Sequence, residues 1–424
     1  MVRQHILKGS FNNVCPLHHQ VRNRQGQKIN MAENKKIKKR SPSSYNHRKI
    51  PGGHSERDTD RRLDWLKIKT GMEYDNSSRN DPEDLKGIIE NHIGYMSMPM
   101  AVAGPMHLKG QYAEGEFLVP LCTVEGTLAI SMSRGMYAST LSGGINIRYM
   151  KQELSRAPVF IFEFITETAE FTAWVEEHYN EIKSVAESTT RFGKLLRIDK
   201  YPIQNYVILD MVMNTGNAAG QNMVTLASKA ACDFIREKTG RKFFLESGFN
   251  SDKKASSRTM IMGRGHGVIA ETILKKSVIK RVLGIHLDEV ETYQKLGPTI
   301  TSMAGTTGCH LHISNALTAI YIATGQDTAC VAENSIGHFQ TEATDEGLVC
   351  RLTLPSLTVG TVGGGTRLLP QQQNLKLLGC DTGEYSSRKL AEIIAASSLA
   401  LEISLMSALA SGSFSDAHMK YGRN

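Results

Sequence analysis

The sequence predicts an α+β protein in which a ferredoxin-like domain is inserted into a larger, helix-rich domain. Its 424 residues are too many for one compact core, and 40% hydrophobic with 22% charged residues is ordinary for a soluble globular chain. Between residues 158 and 246 the strand and helix patterns alternate in the order β-α-β-β-α-β, which is the ferredoxin-like arrangement. We therefore expect four segments, 1–55, 56–157, 158–246 and 247–424.

Residues 1–55 are predicted to be a disordered basic tail, because they are polar and lack hydrophobic periodicity. The chain carries a net charge of +8, but residues 1–50 hold twelve basic residues against one acidic residue, which leaves 38 basic and 41 acidic residues elsewhere. KKIKKR, residues 35–40, is a candidate for contact with RNA or an anionic membrane, although such runs are more typical of a solvated tail. We expect no nucleic-acid partner. Met31 is an alternative to Met1 as the start residue.

The segment 56–157 is predicted to begin with two short helices. RRLDWLKIKTG ends at Gly71, and DPEDLKGIIENHIG has Asp81 as its N-cap. MSMPMAVAGP then predicts a stiff, extended connector. EFLVPLCTVEGTLAISMSRG changes from a strand pattern to a helix pattern, with Thr123 as the expected cap and Glu125 in the first turn. From this segment alone, Glu125 is explained equally well as a complement to the helix dipole.

Neither of the common nucleotide-binding fingerprints is present where a dinucleotide site would need it. GRGHG, residues 263–267, does not have the GxGxxG spacing, and no GxxxxGK[ST] motif occurs. A dinucleotide, if bound, is therefore not held as in a Rossmann fold. Arg191, beside Thr190, is a candidate partner for a 2′-phosphate, although an isolated surface arginine is the simpler interpretation. The predicted elements are PVFIFEF (strand), TAEFTAWVEEHYNEIKSVAEST (helix), KLLRIDKYPIQNYVILDMVM (two strands), AGQNMVTLASKAACDFIREK (helix) and RKFFLES (strand).

SGFNSDKKASS, residues 247–257, is predicted to be a turn that presents Asp252, Lys253 and Lys254. Its Ser, Gly and Asn residues oppose a continuing helix or strand, and its lysines can bind an anion. The simpler interpretation is a solvated charged turn, since Lys and Asp are mostly surface residues. Other motifs favour a site: GTVGGGTRLLPQQ, for example, offers consecutive backbone N–H groups to a phosphate or carboxylate.

The last segment is predicted to contain a helix that carries Asp327 and a long apolar helix. The first follows the small residues of SMAGTTGCHLHISN, which allow two backbones to approach closely. The stretch Leu390–Ala410 is the most apolar, but Glu392 and Glu402 interrupt it. It therefore predicts a buried or amphipathic helix and no membrane span.

The seven cysteines are an odd number, are scattered and include no CxxC pair. This pattern argues against a disulfide framework or a zinc cluster, so no metal is expected. The N-terminus lacks the apolar core of a signal peptide. We therefore predict a cytoplasmic protein.

Six motifs follow one another over about residues 85–420: ENHIGYMSMPMAVAGP, VEGTLAISMSRG, SGFNSDKK, IYIATGQDTA, PSLTVGTVGGGTRLLPQQ and AHMK. They resemble, in the same order, the signature segments of the hydroxymethylglutaryl-CoA reductases. One such segment would be weak evidence, but six in order make the resemblance specific. The lysine loop beside the insert and the late histidine make the chain most similar to the biosynthetic, class I, catalytic domain.

The resemblance implies NADPH-dependent four-electron reduction of (S)-3-hydroxy-3-methylglutaryl-CoA to mevalonate and free CoA. Two NADPH are consumed, and a hemithioacetal and an aldehyde are the intermediates. By the same resemblance, Glu125 donates a proton to the carbonyl oxygen and Lys253 stabilises the developing oxyanion. Asp327 holds and tunes this pair, and His418 protonates the departing CoA thiolate. A glutamate that acts as an acid near neutral pH needs a raised pKa, which a nearby carboxylate such as Asp327 favours.

The resemblance also implies the binding residues and the assembly. The large domain would bind substrate and CoA, the insert would bind NADPH, and the sites would form between the subunits of a homodimer or tetramer. The implied substrate-binding residues are Arg156, Ser247, Asp252 and Lys254, with Glu90 at the border of the CoA or substrate site. The implied cofactor-binding residues are Thr190, Arg191, Asn217, Gly220 and Asn222.

The chain departs from the family's pattern around these residues. The acid of DAMGMNM is Asn217 in NAAGQNM, and the Asn expected two positions before the His of NAHAAN is His310 in CHLHISN. Because that Asn ties the catalytic Lys and Glu together, His310 is expected at the substrate site, where its protonation would lower activity. Loss of such supporting residues weakens a preorganised site. The other replaced positions are Ser133, Ala255 and Cys330.

Three functions stay open from the sequence. The first is an active reductase of hydroxymethylglutaryl-CoA, and the second is a reductase of a related acyl-CoA. The third is a weakly active or non-catalytic CoA-binding paralogue. Retention of all four residues implied to be catalytic argues against the third, because a scaffold needs none of them.

Overall fold

The computed structural model describes residues 50–52, 56–73, 85, 87–89, 96–412 and 414. They form a mixed structure of helices and sheet, which confirms the predicted α+β class. The predicted tail up to residue 49, the cap Asp81, Glu90 and His418 lie outside the described residues.

The described elements are numbered in chain order. The strands are β1 (Met100–Lys109), β2 (Glu114–Cys122), β3 (Ile145–Arg156), β4 (Val159–Ile161), β5 (Lys194–Ile203), β6 (Tyr206–Asn214), β7 (Lys242–Phe244), β8 (Gly265–Lys275), β9 (His338–Ala343) and β10 (Gly347–Leu357). The helices are α1 (Glu56–Thr70), α2 (Leu128–Ser142), α3 (Ile165–Glu177), α4 (Tyr179–Ser188), α5 (Gln221–Thr239), α6 (Ser257–Met262), α7 (Lys276–Val278, extended by a π-helical turn, Ile279–Leu283), α8 (Leu287–Met303), α9 (Ile313–Thr324), α10 (Val331–Asn334), α11 (Leu369–Leu377) and α12 (Ser386–Ala410). Short 3₁₀ turns cover Thr328–Cys330 and Gly364–Arg367.

The insert has the predicted ferredoxin-like topology. Its strands lie in the order β7-β4-β6-β5, all antiparallel, and α3, α4 and α5 connect them. The single helix predicted between the first two strands is two helices, because His178 leaves the helical conformation (φ −96°, ψ 15°). Its ring stacks on Trp174 at a centroid distance of 4.2 Å, which stabilises the break.

β3 joins the insert to the large domain. Its first part pairs with β8 of the large sheet, which runs in the order β2-β1-β3-β8-β10-β9, whereas Leu154–Arg156 pair with Met211–Met213 of β6. Each side has its own apolar core, one including Met132 and the other Phe160. Arg156, the last residue of β3, therefore lies where the two sheets meet. The boundaries at 158 and 246 stay predictions.

α12 is the central helix of the large domain. It packs so closely on α2 that a Cβ on Gly135 would overlap the carbonyl oxygen of Ala400. The two buried glutamates are both satisfied: Glu392 accepts the Ala113 N–H at 2.7 Å, and Glu402 accepts the His312 N–H at 2.6 Å. Among the described helices α12 has the length and apolarity of a membrane span, but 89% of its apolar window is buried inside the protein. It is a core helix, as its glutamates predict.

Candidate active site

The lysine loop, residues 247–256, connects β7 to α6 through an unusual turn. Ser251 and Lys253 have positive φ angles of 55° and 57°. Non-glycine residues rarely occupy this left-handed region, and they stay there only where the surrounding structure holds them. The Lys254 N–H closes the turn on the Ser251 carbonyl at 3.1 Å. The loop thus presents its charged side chains on a turn, as predicted.

Lys253 forms an ion pair with Asp327, with Nζ and Oδ2 2.8 Å apart. The other carboxylate oxygen of Asp327 accepts the Ala329 N–H at 3.1 Å, so the side chain caps the 3₁₀ turn after α9. The hydrogen bond and the charge of Asp327 raise the pKa of Lys253. Burial alone would raise the pKa of Asp327, but Lys253 and the Ala329 N–H hold it below its usual range. Both groups are therefore charged at neutral pH, and both are accessible, with 43% and 40% of their side chains exposed.

Glu125 lies in an exposed segment before α2, not in the first turn of the helix as predicted. α2 begins at Leu128, after Thr127 at a φ of 72°. The predicted cap, Thr123, accepts the Glu125 N–H on its hydroxyl at 3.0 Å. Such a local hydrogen bond competes with helix formation, which explains the later start.

The amide that meets Glu125 belongs to Asn315, in the first turn of α9. Its Nδ2 donates to Glu125 Oε1 at 2.9 Å. The sequence predicts this contact for His310, whereas in the structure Asn315 makes it. The signal was present as the last residue of CHLHISN: an asparagine in the first helical turn projects towards the N-terminal end of the helix.

His310 lies among other histidines. Burial, with smaller effects of His338 and His312, lowers the pKa of His310 to about 4. Its Nδ1 is buried without a hydrogen-bond partner. The imidazole is therefore neutral near pH 7, and the predicted loss of activity through its protonation is not expected at that pH.

The N-terminus of α5 reaches the Lys253–Asp327 pair. Gln221 Nε2 lies 3.4 Å from Asp327 Oδ2 and 2.7 Å from the Cys330 sulfur. Gly220, the N-cap, has a φ of 89°, and a Cβ there would overlap the Thr215 side chain. Glycine is therefore required, and no side chain caps the first N–H groups of α5. Such a helix end carries partial positive charge that favours an anion.

The turn after α4 packs against this helix end. Thr190 Oγ1 accepts the Gly193 N–H at 3.0 Å, and a Cβ on Gly193 would lie 2.7 Å from Met223 Sδ in the first turn of α5. Arg191 and Asn222 are both exposed. The structure therefore gathers four predicted cofactor residues, Thr190, Arg191, Gly220 and Asn222, around one helix terminus.

Asn217, the fifth predicted cofactor residue, bridges three segments. Its Nδ2 donates to the Gly383 carbonyl at 3.0 Å, and its Oδ1 accepts the Ser387 N–H at 3.1 Å. Its own carbonyl accepts the Thr361 N–H at 2.8 Å. These bonds tie the loop before α5 to the Gly-rich loop and to the start of α12.

The Gly-rich loop, Gly360–Gly365, contacts its neighbours backbone to backbone. A Cβ on Gly325 would overlap the Gly365 carbonyl oxygen, and one on Gly360 would overlap the Ala219 nitrogen. These glycines let the turn that carries Asp327 and the loop before α5 each approach the Gly-rich loop closely. The anion nest suggested by the sequence stays a prediction.

Arg156 is held by protein acceptors. Its Nη1 pairs with Glu246 and lies 3.3 Å from Asp252 Oδ2, and its Nη2 donates to Thr225 at 2.9 Å. These contacts give Arg156 a role in orienting Asp252. Its predicted contact with a substrate carboxylate stays a prediction.

Ser247 and Lys254, the other predicted substrate residues, are exposed. The Ser247 hydroxyl donates to the Ala157 carbonyl at 2.7 Å, and Lys254 Nζ donates to the Asp252 carbonyl at 3.0 Å. Both belong to the lysine loop, which also carries the charged turn. Glu90 and His418 lie outside the described residues.

Two buried ion pairs that the sequence did not reveal anchor the lysine loop. Arg264 Nη1 lies 2.6 Å from Glu333 Oε1, and neither side chain is exposed. Arg258, just after the loop, pairs with the fully buried Asp210 of β6. In the sequence, such a pair is indicated by a charged residue within a stretch of small or apolar residues, as Arg264 in GRGHG. A charged residue in that setting is expected to be buried and paired.

The replaced positions of the family pattern have ordinary structural partners. Ser133 Oγ accepts the Gly104 N–H at 3.3 Å, and Cys330 is buried, accepting from Gln221. Ala255 is exposed. None of these three residues carries a charge that could take over the role of Lys253 or Asp327.

Together these features are typical of one class of protein. A loop lysine paired with an aspartate, a glutamate held by an amide and an uncapped helix N-terminus are the features of an enzyme suited to an anionic substrate. Within the described part of the chain, no group of three or more His, Cys, Asp or Glu side chains is arranged to hold a metal ion.

Comparison with known proteins specifies the family. The model of the hydroxymethylglutaryl-coenzyme A reductase family matches residues 58–423. A 3-hydroxy-3-methylglutaryl-coenzyme A reductase of Aeropyrum pernix is 42% identical over 347 residues, which are 79% of this chain and 82% of the relative. One of Methanocaldococcus jannaschii is 37% identical over 86% of this chain and 93% of its own length. The chain belongs to the hydroxymethylglutaryl-CoA reductase family, which confirms the predicted family and the oxidoreductase class.

Solved structures share the fold. A class II 3-hydroxy-3-methylglutaryl-CoA reductase from Streptococcus pneumoniae, bound to NADPH in open conformations, superimposes with a TM-score of 0.67. It is 18% identical and covers 84% of this chain and 97% of its own. At this identity the likeness supports the fold alone.

Proposed function

We propose that this protein reduces (S)-3-hydroxy-3-methylglutaryl-CoA to mevalonate and free CoA with two NADPH. The observation that carries the proposal is the Lys253–Asp327 ion pair, 2.8 Å long, at the N-terminus of α5. It places a fixed cation beside a helix end suited to an anionic cofactor.

Lys253 is the group that stabilises the oxyanion in this proposal. Hydride addition to a thioester carbonyl places negative charge on its oxygen, and a preoriented ammonium stabilises that charge. Asp327 keeps the ammonium charged and directed, since it raises the pKa of Lys253. Glu125, oriented by Asn315, donates the proton to the oxygen. His418 is proposed, from its motif alone, to protonate the CoA thiolate.

The substrate's carboxylate is proposed to bind at the lysine loop. Lys254 is exposed there, and Asp252 orders the loop through its contacts with Arg156 and Arg264. Ser247 adds an exposed hydroxyl on the same loop. Glu90 is proposed to border the CoA or substrate site.

The residues around the α5 N-terminus fit NADPH. When bound, NADPH supplies the hydride. The N-terminus of α5, which begins after Gly220, has no side-chain cap, and its free N–H groups would bind a phosphate. Thr190, Arg191 and Asn222 would hold the polar groups of the nucleotide, and Asn217 would fix the loop beneath it through its bonds to α12.

Arg191 provides a test of the cofactor site. If it pairs with the 2′-phosphate, we expect Arg191→Ala to raise the KM for NADPH about tenfold or more and to leave the KM for NADH nearly unchanged. Steady-state kinetics with both cofactors measure this. The matched control is Arg236→Ala on the far end of α5, which should affect neither cofactor. Equal losses with NADPH and NADH would remove Arg191 from this role.

Substitutions of Asn315 and of His310 are expected to affect kcat to different extents. Asn315→Leu removes the donor to Glu125, so we expect kcat to fall about tenfold, part of the 10²–10⁴ that general acid catalysis supplies. His310→Asn should change kcat at pH 7 by less than about twofold, since the imidazole is already neutral there. Rates at saturating substrate distinguish the two. A larger loss for His310→Asn would restore His310 to the catalytic network.

The proposal is tested with purified protein, NADPH and a panel of acyl-CoA thioesters. We expect hydroxymethylglutaryl-CoA to have the highest kcat/KM. A higher value for a related acyl-CoA would favour altered specificity, for which the replaced positions such as Cys330 give a structural reason. Binding of CoA without oxidation of NADPH by any thioester would identify a non-catalytic paralogue.

The assembly and compartment belong to the same proposal. We propose a homodimer or tetramer with sites between subunits, supported by exposed apolar side chains near the cofactor residues: Phe192 is 74% and Leu226 62% exposed. We also propose a cytoplasmic location. Its support is that the six cysteines in the described residues are all free, which fits a reducing compartment.

A further inference from the structure

Glu333 holds the backbone of Lys253 from inside the protein. Its side chain is fully buried, and its Oε2 accepts the Lys253 N–H. Its Oε1 accepts from Arg264 Nη1 at 2.6 Å and from the Thr358 hydroxyl at 3.0 Å. Both carboxylate oxygens are thus used, and one bond goes directly to the residue proposed to stabilise the oxyanion.

A row of alternating charges extends this contact along the loop. Arg264 pairs with Glu333 on one side and lies 3.1 Å from Asp252 Oδ1 on the other. Asp252 in turn lies 3.3 Å from Arg156. Two cations and two anions alternate, so the buried charges compensate one another, which a low-dielectric interior requires. This row of charges holds the side chain of Asp252, the residue before Lys253. It also holds the backbone N–H of Lys253 itself, through Glu333.

The backbone conformation of Lys253 shows why these contacts are needed. Its φ of 57° is unfavourable for a side-chain-bearing residue and persists only where neighbouring contacts hold it. Glu333 lies on α10, which follows the 3₁₀ turn capped by Asp327. One short segment therefore fixes Lys253 twice, at its backbone through Glu333 and at its ammonium through Asp327.

We infer that Glu333, supported by Arg264, is a positioning residue that sets the orientation of Lys253 for catalysis. It does not contact substrate, and its effect passes through the lysine. The inference rests on the proposed role of Lys253. The role requires a carboxylate of this length, because the same group must reach a backbone N–H and a guanidinium.

The test is a double-mutant cycle with Glu333→Gln and Lys253→Met. Glu333→Gln keeps the shape but removes the charge held by Arg264, and we expect kcat to fall about 10- to 100-fold, since a misplacement of about 1 Å can cost about 10²-fold. In the Lys253→Met background the same change should cost less than about twofold, because the group it positions is gone. Equal losses in both backgrounds would overturn the inference.

Two further variants keep the test decisive. Glu392→Gln is the matched control: its carboxylate is also fully buried and holds the Ala113 N–H, far along the chain from the lysine loop, so kcat should stay within about twofold. If Glu333→Gln does not fold, Glu333→Asp, which retains the charge but is one methylene shorter, takes its place in the cycle with the same expectation. Full activity of Lys253→Met would contradict the proposed function itself, whereas a loss in Lys253→Met with additive effects of Glu333 contradicts only the positioning role.

Discussion

Replacement of Lys253 by methionine is expected to lower kcat for acyl-CoA reduction by about 10²- to 10³-fold, the typical loss when one oxyanion-stabilising donor is removed. Methionine keeps the length and much of the volume of the side chain but has no charge to offer the carbonyl oxygen. The KM for the acyl-CoA should change less than kcat, because the interaction is strongest in the transition state. Initial rates of NADPH oxidation at saturating substrate measure the effect.

A second exposed lysine provides the control for this substitution. Lys280, in the π-helical turn after α7, is exposed and lies outside the lysine loop. Lys280→Met should keep kcat within about twofold. Activity of Lys253→Met near the wild-type level would remove Lys253 from the chemistry, and the same loss in both variants would point to a general effect of lost charge.

Replacement of Arg264 by methionine is expected to destabilise the fold by about 3–5 kcal/mol, the usual cost of removing one partner of a buried ion pair. Arg264 and Glu333 are both fully buried, so the carboxylate would be left without its compensating charge. Burial already raises the pKa of Glu333 against the opposing charge of Arg264, and loss of that charge would raise this pKa further. Urea unfolding at pH 7 measures the change.

Arg351 is the matched control for this stability prediction. It forms ion pairs with Glu271 at 2.7 Å and with Glu342 at 2.9 Å, but its side chain is 38% exposed. Exposed pairs contribute about 0.2–1 kcal/mol, so Arg351→Met should cost no more than about 1 kcal/mol. Equal destabilisation by the two substitutions would mean that burial does not set the value of the Arg264 pair.

The strand and helix order of the insert could be predicted because each element carries its own local pattern. In the long helix α12, Glu392 and Glu402 mark positions that need internal partners, and both are indeed held by backbone N–H groups. The break at His178 could not be predicted, because it depends on the stacking of one ring on Trp174 within an otherwise helical pattern.

The charged members of the site could be predicted from their motifs, whereas their contacts could not. Lys253 and Asp327 are 74 positions apart in the sequence, and nothing local indicates that they meet at 2.8 Å. The choice between His310 and Asn315 depended on which side chain projects from the start of α9 towards Glu125. The role of Glu333 could not be predicted, because it depends on complete burial of the side chain, which only the folded chain shows.

The proposed function requires that Lys253, held by Asp327, supports NADPH-dependent four-electron reduction of hydroxymethylglutaryl-CoA. It is tested most directly by measuring NADPH oxidised and CoA thiol released from a limiting amount of that thioester. We expect two NADPH oxidised for each CoA released, and formation of both products about 10²- to 10³-fold slower with Lys253→Met. Release of CoA without oxidation of NADPH, or an undiminished rate with Lys253→Met, would contradict it.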